Sequence, residues 1–145
     1  MLELFAKEVK EGLSQSPKRL SSKWFYDKKG DSLFIRIMNL PEYYLTKCEE
    51  EIFAEKTNHL VSSLIHDTGE FDLFELGAGD GSKTMHLLSA LQSRKFTYRP
   101  IDISSNAIEN LQKRVADELP SIEVKGLQGE YFEVLAKLTS ERPKV

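Results

Sequence analysis

The sequence predicts an α/β fold: a helical N-terminal region over residues 1–66, then a parallel sheet with crossover helices over residues 67–145. Three observations carry this expectation. Apolar residues in the first part recur at helical spacing. From residue 71, short apolar runs alternate with helical stripes, the pattern of β–α–β units with right-handed crossovers. The first of those runs leads into FELGAGDGSKT, Phe74 to Thr84, a glycine-rich turn between strand and helix.

The elements follow in order. Leu2, Phe5, Val9 and Leu13 mark a first helix, and SQSPKRLSSK with Pro17 breaks it. Asp31 is a candidate cap for a short helix carrying Leu33, Phe34, Ile37 and Met38, stopped by Asn39 and Pro41. Thr46 and Glu49 have capping-box spacing and predict one long helix through Ile52, Phe53, Leu60 and Leu64 to about His66. Leu73 to Leu76 reads as a buried strand, and Met85, Leu88 and Leu91 stripe the helix after it. Thr97 to Ile103 is a second strand. Asn106 and Glu109 repeat the capping spacing, with Ile108, Leu111, Val115 and Leu119 as the apolar face and Pro120 as the stop. Ile122 to Leu127 is a third strand, and Val134 to Leu138 a last helix.

Composition narrows the function. The 145 residues fit one domain, and a net charge of -3 gives no reason to expect a nucleic-acid partner. One cysteine, Cys48, excludes an internal disulfide framework and fits a reducing compartment, so the cytoplasm is expected. No apolar run approaches the ~18 residues of a membrane span, and MLELFAKEVK lacks a signal-like core.

The glycine loop fails two familiar templates. A phosphate cradle needs Gly directly before Lys, and Ser82 separates Gly81 from Lys83. The dinucleotide fingerprint accepts Gly77 and Gly79 but finds Ser82 at its third glycine. What remains is Glu-x-Gly-x-Gly-x-Gly, Glu75 to Gly81, suited to a nucleoside without a pyrophosphate. In parallel sheets the ligand lies at the carboxyl ends of the strands. Asp102 ends the second strand there, where a carboxylate accepts from ribose hydroxyls, and Glu130 follows the third, near where an adenine amino group would lie. This layout serves S-adenosylmethionine (SAM) or a nicotinamide cofactor, and the glycine spacing favours SAM.

The blocks KWFYD, LPEYY-x-T, ELGAGDGSKT, PIDIS and GEYF occur in that order. Through them the chain resembles the histidine-specific methyltransferases, which trimethylate the α-amine of histidine on the route to ergothioneine. Fungal relatives act on other amino acids, including a prenylated tryptophan. The resemblance implies a Rossmann-like SAM-methyltransferase sheet, here truncated, with strand order 3-2-1. It implies that Tyr26 of WFYD reaches over the methyl donor and that Tyr43, first of the tyrosine pair, contacts the amino-acid substrate. It assigns donor contacts to Gly77, Lys83 and Asp102, with Gly79 and Gly81 in the same loop and Glu130 at the adenine. Two positions depart from the family pattern: Leu45 replaces a proline, and Glu130–Tyr131 replaces Asp–Phe.

Family members run well beyond this length, so the chain reads as the N-terminal piece of such an enzyme, inactive alone. A first strand lacking its next neighbour predicts an open edge and self-association. Trp24, Phe25 and Tyr44 read as packing residues. His59, His66 and His86 read as solvated, with no ligand-like spacing and hence no metal. Glu49, Glu50 and Glu51 read as offsetting a helix dipole. Lys83 either faces solvent in the first helical turn or meets the donor's carboxylate. Two other classes remain: a non-catalytic SAM-binding or interaction module, and a nicotinamide-dependent oxidoreductase, against which Ser82 counts.

Overall fold

The computed structural model describes residues 2–65 and 69–145. The boundary expected between residues 66 and 67, and His66 itself, lie outside the described residues. Eleven elements matter for the site: α1 (Leu2–Ser14), α2 (Lys28–Met38), α3 (Leu45–Glu55), α4 (Thr57–Leu64), β1 (Glu70–Leu76), α5 (Thr84–Leu91), β2 (Lys95–Asp102), α6 (Ser105–Glu118), β3 (Glu123–Val124), β4 (Leu127–Gln128) and α7 (Tyr131–Lys137).

The sheet is parallel in the expected order. β1 pairs with β2 from Glu70↔Lys95 to Leu76↔Ile101, and both β3 and β4 pair with β2. On one face Phe71 stacks on Phe96 at 5.4 Å. Leu73 and Tyr98 share that face by register. With Leu88 and Leu91 of α5 and Leu111 and Val115 of α6 they form the core. Removing these apolar side chains from water is what drives the sheet and its two helices together.

The third strand, expected to be continuous, is two short pairings. The cause lies at Gly126, where a Cβ would sit 2.3 Å from Ile108 Cγ2. The backbone presses against α6 there and leaves the ladder for two residues.

The expected long helix from Thr46 is also two. Lys56 leaves helical geometry at φ -111°, and the Thr57 hydroxyl donates to the Phe53 carbonyl at the junction. No capping box forms. The helix begins at Leu45, with Tyr44 at the cap position and no side-chain cap. Glu49 instead pairs with Lys83 at 2.5 Å.

Two other caps differ. Asp27, not Asp31, caps α2, accepting from Gly30 N–H at 2.8 Å. Gly30 has no alternative, because a Cβ there would lie 1.5 Å from the Phe25 carbonyl oxygen. Ser104, not Asn106, caps α6, accepting from Ala107 N–H at 3.1 Å. Within the expected break after α1, Ser22–Phe25 forms a 3₁₀ turn. Trp24 of that turn donates to Glu8 at 2.9 Å and meets the Phe5 ring edge-on at 5.1 Å.

The free edge of β1 is partly covered. Residues 143–145 run parallel to it: Asp72 N–H donates to Pro143, Val145 N–H to Asp72, and Phe74 N–H to Val145. Asp72 is fully buried, with Arg99 Nε at 2.8 Å and the Ser140 hydroxyl at 2.7 Å. A buried carboxylate persists only when so partnered.

Candidate functional site

A cleft of about 640 Å³ opens at the carboxyl ends of β1 and β2. Tyr26, Gly77, Gly79, Lys83, Asp102 and Glu130 line it; Gly81 and Tyr43 do not.

The floor is the glycine loop. Gly77, Gly79 and Gly81 have φ of 74°, 56° and 69°. The left-handed region is costly for residues with a Cβ, so three such positions explain the alternating glycines. Their individual tasks differ. A Cβ on Gly77 would lie 2.7 Å from Tyr131 Oη, on the cleft side. A Cβ on Gly79 meets nothing within 4 Å. At Gly81 it would lie 2.1 Å from Leu111 Cδ1, so that glycine lets the loop pack against α6.

Under the floor, Glu75 accepts from the Thr84 hydroxyl at 2.5 Å and from the Tyr98 hydroxyl. Burial pushes the Glu75 carboxyl above its ordinary pKa, opposed by these hydrogen bonds. Burial, with the charge of Glu75 beside it, pushes the Tyr98 phenol up as well. The cluster ties the end of β1 to the start of α5 and so fixes the loop between them.

Asp102 stands across the loop. Its Oδ2 accepts from Gly79 N–H at 3.1 Å and its Oδ1 from Ser104 N–H at 2.9 Å. A carboxylate offers about four lone-pair sites, so acceptor capacity remains on the cleft side. Glu130 is more committed: its Oε2 caps α7 by accepting from Phe132 N–H and Glu133 N–H. Its other oxygen and its backbone are what it offers a ligand. Lys83 is held by Glu49 in a partly exposed pair. Such pairs contribute at most ~1 kcal/mol, so a ligand carboxylate can replace Glu49.

The roof comes from the N-terminal region. Tyr26 meets Phe34 edge-on at 6.0 Å, and Phe34 meets Tyr43 at 6.3 Å. Tyr43 therefore stands one ring back from the cleft, in contact with a ring that lines it.

Sequence reasoning read Asp31 and Asn106 only as helix caps and Phe34 only as an apolar helix position, and gave no ligand-side role to these or to Tyr131, Asn110 and Arg114, all of which line the cleft. Asn106, Asn110 and Arg114 recur every fourth residue, a polar stripe beside the apolar face of α6 and visible at helical spacing. Asp31 and Tyr131 had no such signal. Burial, and next the charge of Asp102, raises the Tyr131 phenol pKa.

The cleft suits a nucleoside-sized ligand: open backbone at Gly79, a Gly77 met only by the Tyr131 hydroxyl, a carboxylate opposite, and aromatic rings above. The chain is 34% identical over 138 residues to a histidine N-alpha-methyltransferase from Mycolicibacterium smegmatis, covering 94% of this chain and 42% of that protein. It is 35% identical over 134 residues to the Mycobacterium tuberculosis protein of the same name, covering 91% and 40%. The chain thus spans about two fifths of the length of these relatives. Among solved structures, a magnesium protoporphyrin IX methyltransferase from Synechocystis with bound SAM superposes with a TM-score of 0.58 at 17% identity, over 86% of this chain and 60% of that one. That likeness identifies the fold as the Rossmann-like one of SAM methyltransferases. The family model of histidine-specific, SAM-dependent methyltransferases matches residues 5–145, and the chain belongs to that family.

Proposed function

We propose that these residues form the donor-binding part of an N-methyltransferase that uses SAM to methylate the α-amine of histidine or a related amino acid. The observation that carries this reading is the cleft, where left-handed glycine backbone faces the Asp102 carboxylate at the strand ends. When bound, SAM supplies a sulfonium methyl that a neutral amine takes by in-line displacement. The residues' task is alignment, which supplies much of the acceleration in such a transfer.

On this reading Asp102 accepts from the ribose hydroxyls, and Gly77 and Gly79 let the donor lie against backbone. Gly81 serves by shaping the loop. Glu130 meets the adenine through its backbone or its uncommitted oxygen. Lys83 exchanges Glu49 for the donor's carboxylate. Tyr26 covers the donor, and Tyr43 serves the amino acid from behind Phe34. Residues 1–66 act as cover and substrate side, and residues 67–145 as the donor-binding domain. A place in ergothioneine biosynthesis, in the cytoplasm, belongs to the same proposal.

The relatives carry more than half their length outside the matched stretch. We assign to such a segment the groups that keep the acceptor amine uncharged. The 145 residues alone should then bind donor without producing methylated histidine, as mass spectrometry would show. The deciding experiment is calorimetric titration with SAM, S-adenosylhomocysteine (SAH) and NAD. Binding of the first two and not the third is expected; the converse would overturn the reading. Tyr43→Phe in a full-length relative-sized context should weaken amino-acid binding and spare SAM, and the reverse would misplace Tyr43.

A further inference from the structure

Helix α2 lines the cleft through Asp31, Phe34, Ile35 and Met38, yet none of its residues is buried. Helices in proteins owe most of their stability to packing of an apolar face, and α2 has little of it. Its ring contacts run to Tyr26 and Tyr43, within the same N-terminal region. Its polar tie crosses to the sheet side. Asp31 Oδ2 accepts from Ser104 Oγ at 2.6 Å and from Asn106 Nδ2 at 3.2 Å.

Those two donors stand at the start of α6, just after Asp102. Ser104 also gives its backbone N–H to Asp102 Oδ1, and Asp102 Oδ2 accepts from Gly79 N–H. A line of hydrogen bonds therefore runs from α2 through Ser104 and Asp102 to the glycine loop. The bonds at Asp31 and Asp102 have an ionised acceptor, which makes them the stronger kind.

We propose that Asp31 is a positioning residue that holds α2 over the donor cleft and couples this closure to Asp102. The inference rests on the donor-binding reading above. A ligand on Asp102 orders the carboxylate that orients Ser104, and Ser104 holds Asp31. By reciprocity, closure of α2 strengthens ligand binding and ligand binding strengthens closure. Asp31 also lies in the first turn of α2, where its charge favours the helix dipole. A purely local role would act through that charge alone.

The test uses the 145-residue chain, SAH calorimetry and hydrogen exchange of the Lys28–Met38 amides. In the wild type, SAH should slow exchange in α2. Asp31→Ala should raise the SAH dissociation constant about tenfold, one lost charge-assisted hydrogen bond, and abolish the slowing. Asp31→Asn keeps an acceptor oxygen where both donors converge. It should retain the slowing and stay within about threefold of wild-type affinity. Ser104→Gly, tolerated at a helix cap, should reproduce the Asp31→Ala loss. If Asn and Ala variants behave alike, the charge alone matters and the latch is overturned. Full affinity and full slowing in Asp31→Ala overturn it too. Absence of SAH binding by the wild type overturns the donor reading and the latch together, whereas binding with α2 unaffected overturns only the latch.

Discussion

Asp102 and Glu75 are two carboxylates about the same loop with opposite surroundings. Asp102 receives backbone N–H groups and keeps lone pairs toward the cleft. Losing paired hydrogen bonds from ribose hydroxyls should cost about 1.5–3 kcal/mol. Asp102→Ala should therefore weaken SAM binding at least about tenfold by calorimetry, and unchanged affinity would refute the ribose assignment. Glu75 is the buried partner of Thr84 and Tyr98, with its carboxyl pushed up by burial. The folded state then holds a proton that the unfolded state releases at the ordinary carboxyl pKa. In that window the folded state binds more protons, so stability falls as pH rises. The favourable contribution is present below the ordinary pKa and is lost through the raised one. Glu75→Gln, which cannot ionise, should flatten this part of the thermal midpoint against pH. An identical slope in the variant would show that Glu75 does not carry the titration.

At the scale of elements, the loop glycines separate by task. Gly81→Ala puts a Cβ 2.1 Å from Leu111 at positive φ and should cost about 1–3 kcal/mol of stability, read as a lower thermal midpoint. Gly77→Val acts on the cleft side and should abolish measurable donor binding by calorimetry, with a smaller effect on folding. A variant pair showing the reverse pattern would exchange the two roles. The contrast also shows what was legible in the sequence. The order of β1, α5, β2 and α6 was readable because apolar periodicity is a local signal, and the glycine spacing announced the left-handed turns. The caps were not. Asp27 and Asp31, or Ser104 and Asn106, carry equally suitable side chains, and only the clash at Gly30 and the position of the preceding strand choose between them. Glu49 likewise had the spacing of a capping box, but a lysine distant in sequence claimed it. The glycine-loop and Asp102 side of the cleft was readable from β–α–β grammar. Its roof required the resemblance, and the Asp31 contact depends on how α2 meets α6.

For the whole molecule, the β1 edge of the 145-residue chain is the feature to test in solution. Residues 143–145 satisfy β1 at Asp72 and Phe74, and their bridge stops there, while Leu76 is half exposed. A sheet edge with unpaired groups is a template for another chain. We expect dimers or larger species by light scattering, and a monodisperse monomer would refute this. Deleting Pro143–Val145 should increase association while leaving SAH affinity unchanged, because the cleft is built on the β2 side of β1. An affinity loss in that deletion would mean that the tail edge shapes the cleft. Trp24 is the only tryptophan, held by Glu8, Lys23 and Phe5 two residues before the cleft-lining Tyr26. Its indole lies beside a cation and a carboxylate, groups whose displacement shifts emission. If SAH binding shifts Tyr26 and the turn before it, Trp24 emission should change on adding SAH to the 145-residue chain, and an unchanged spectrum at saturating SAH would show that the turn does not move.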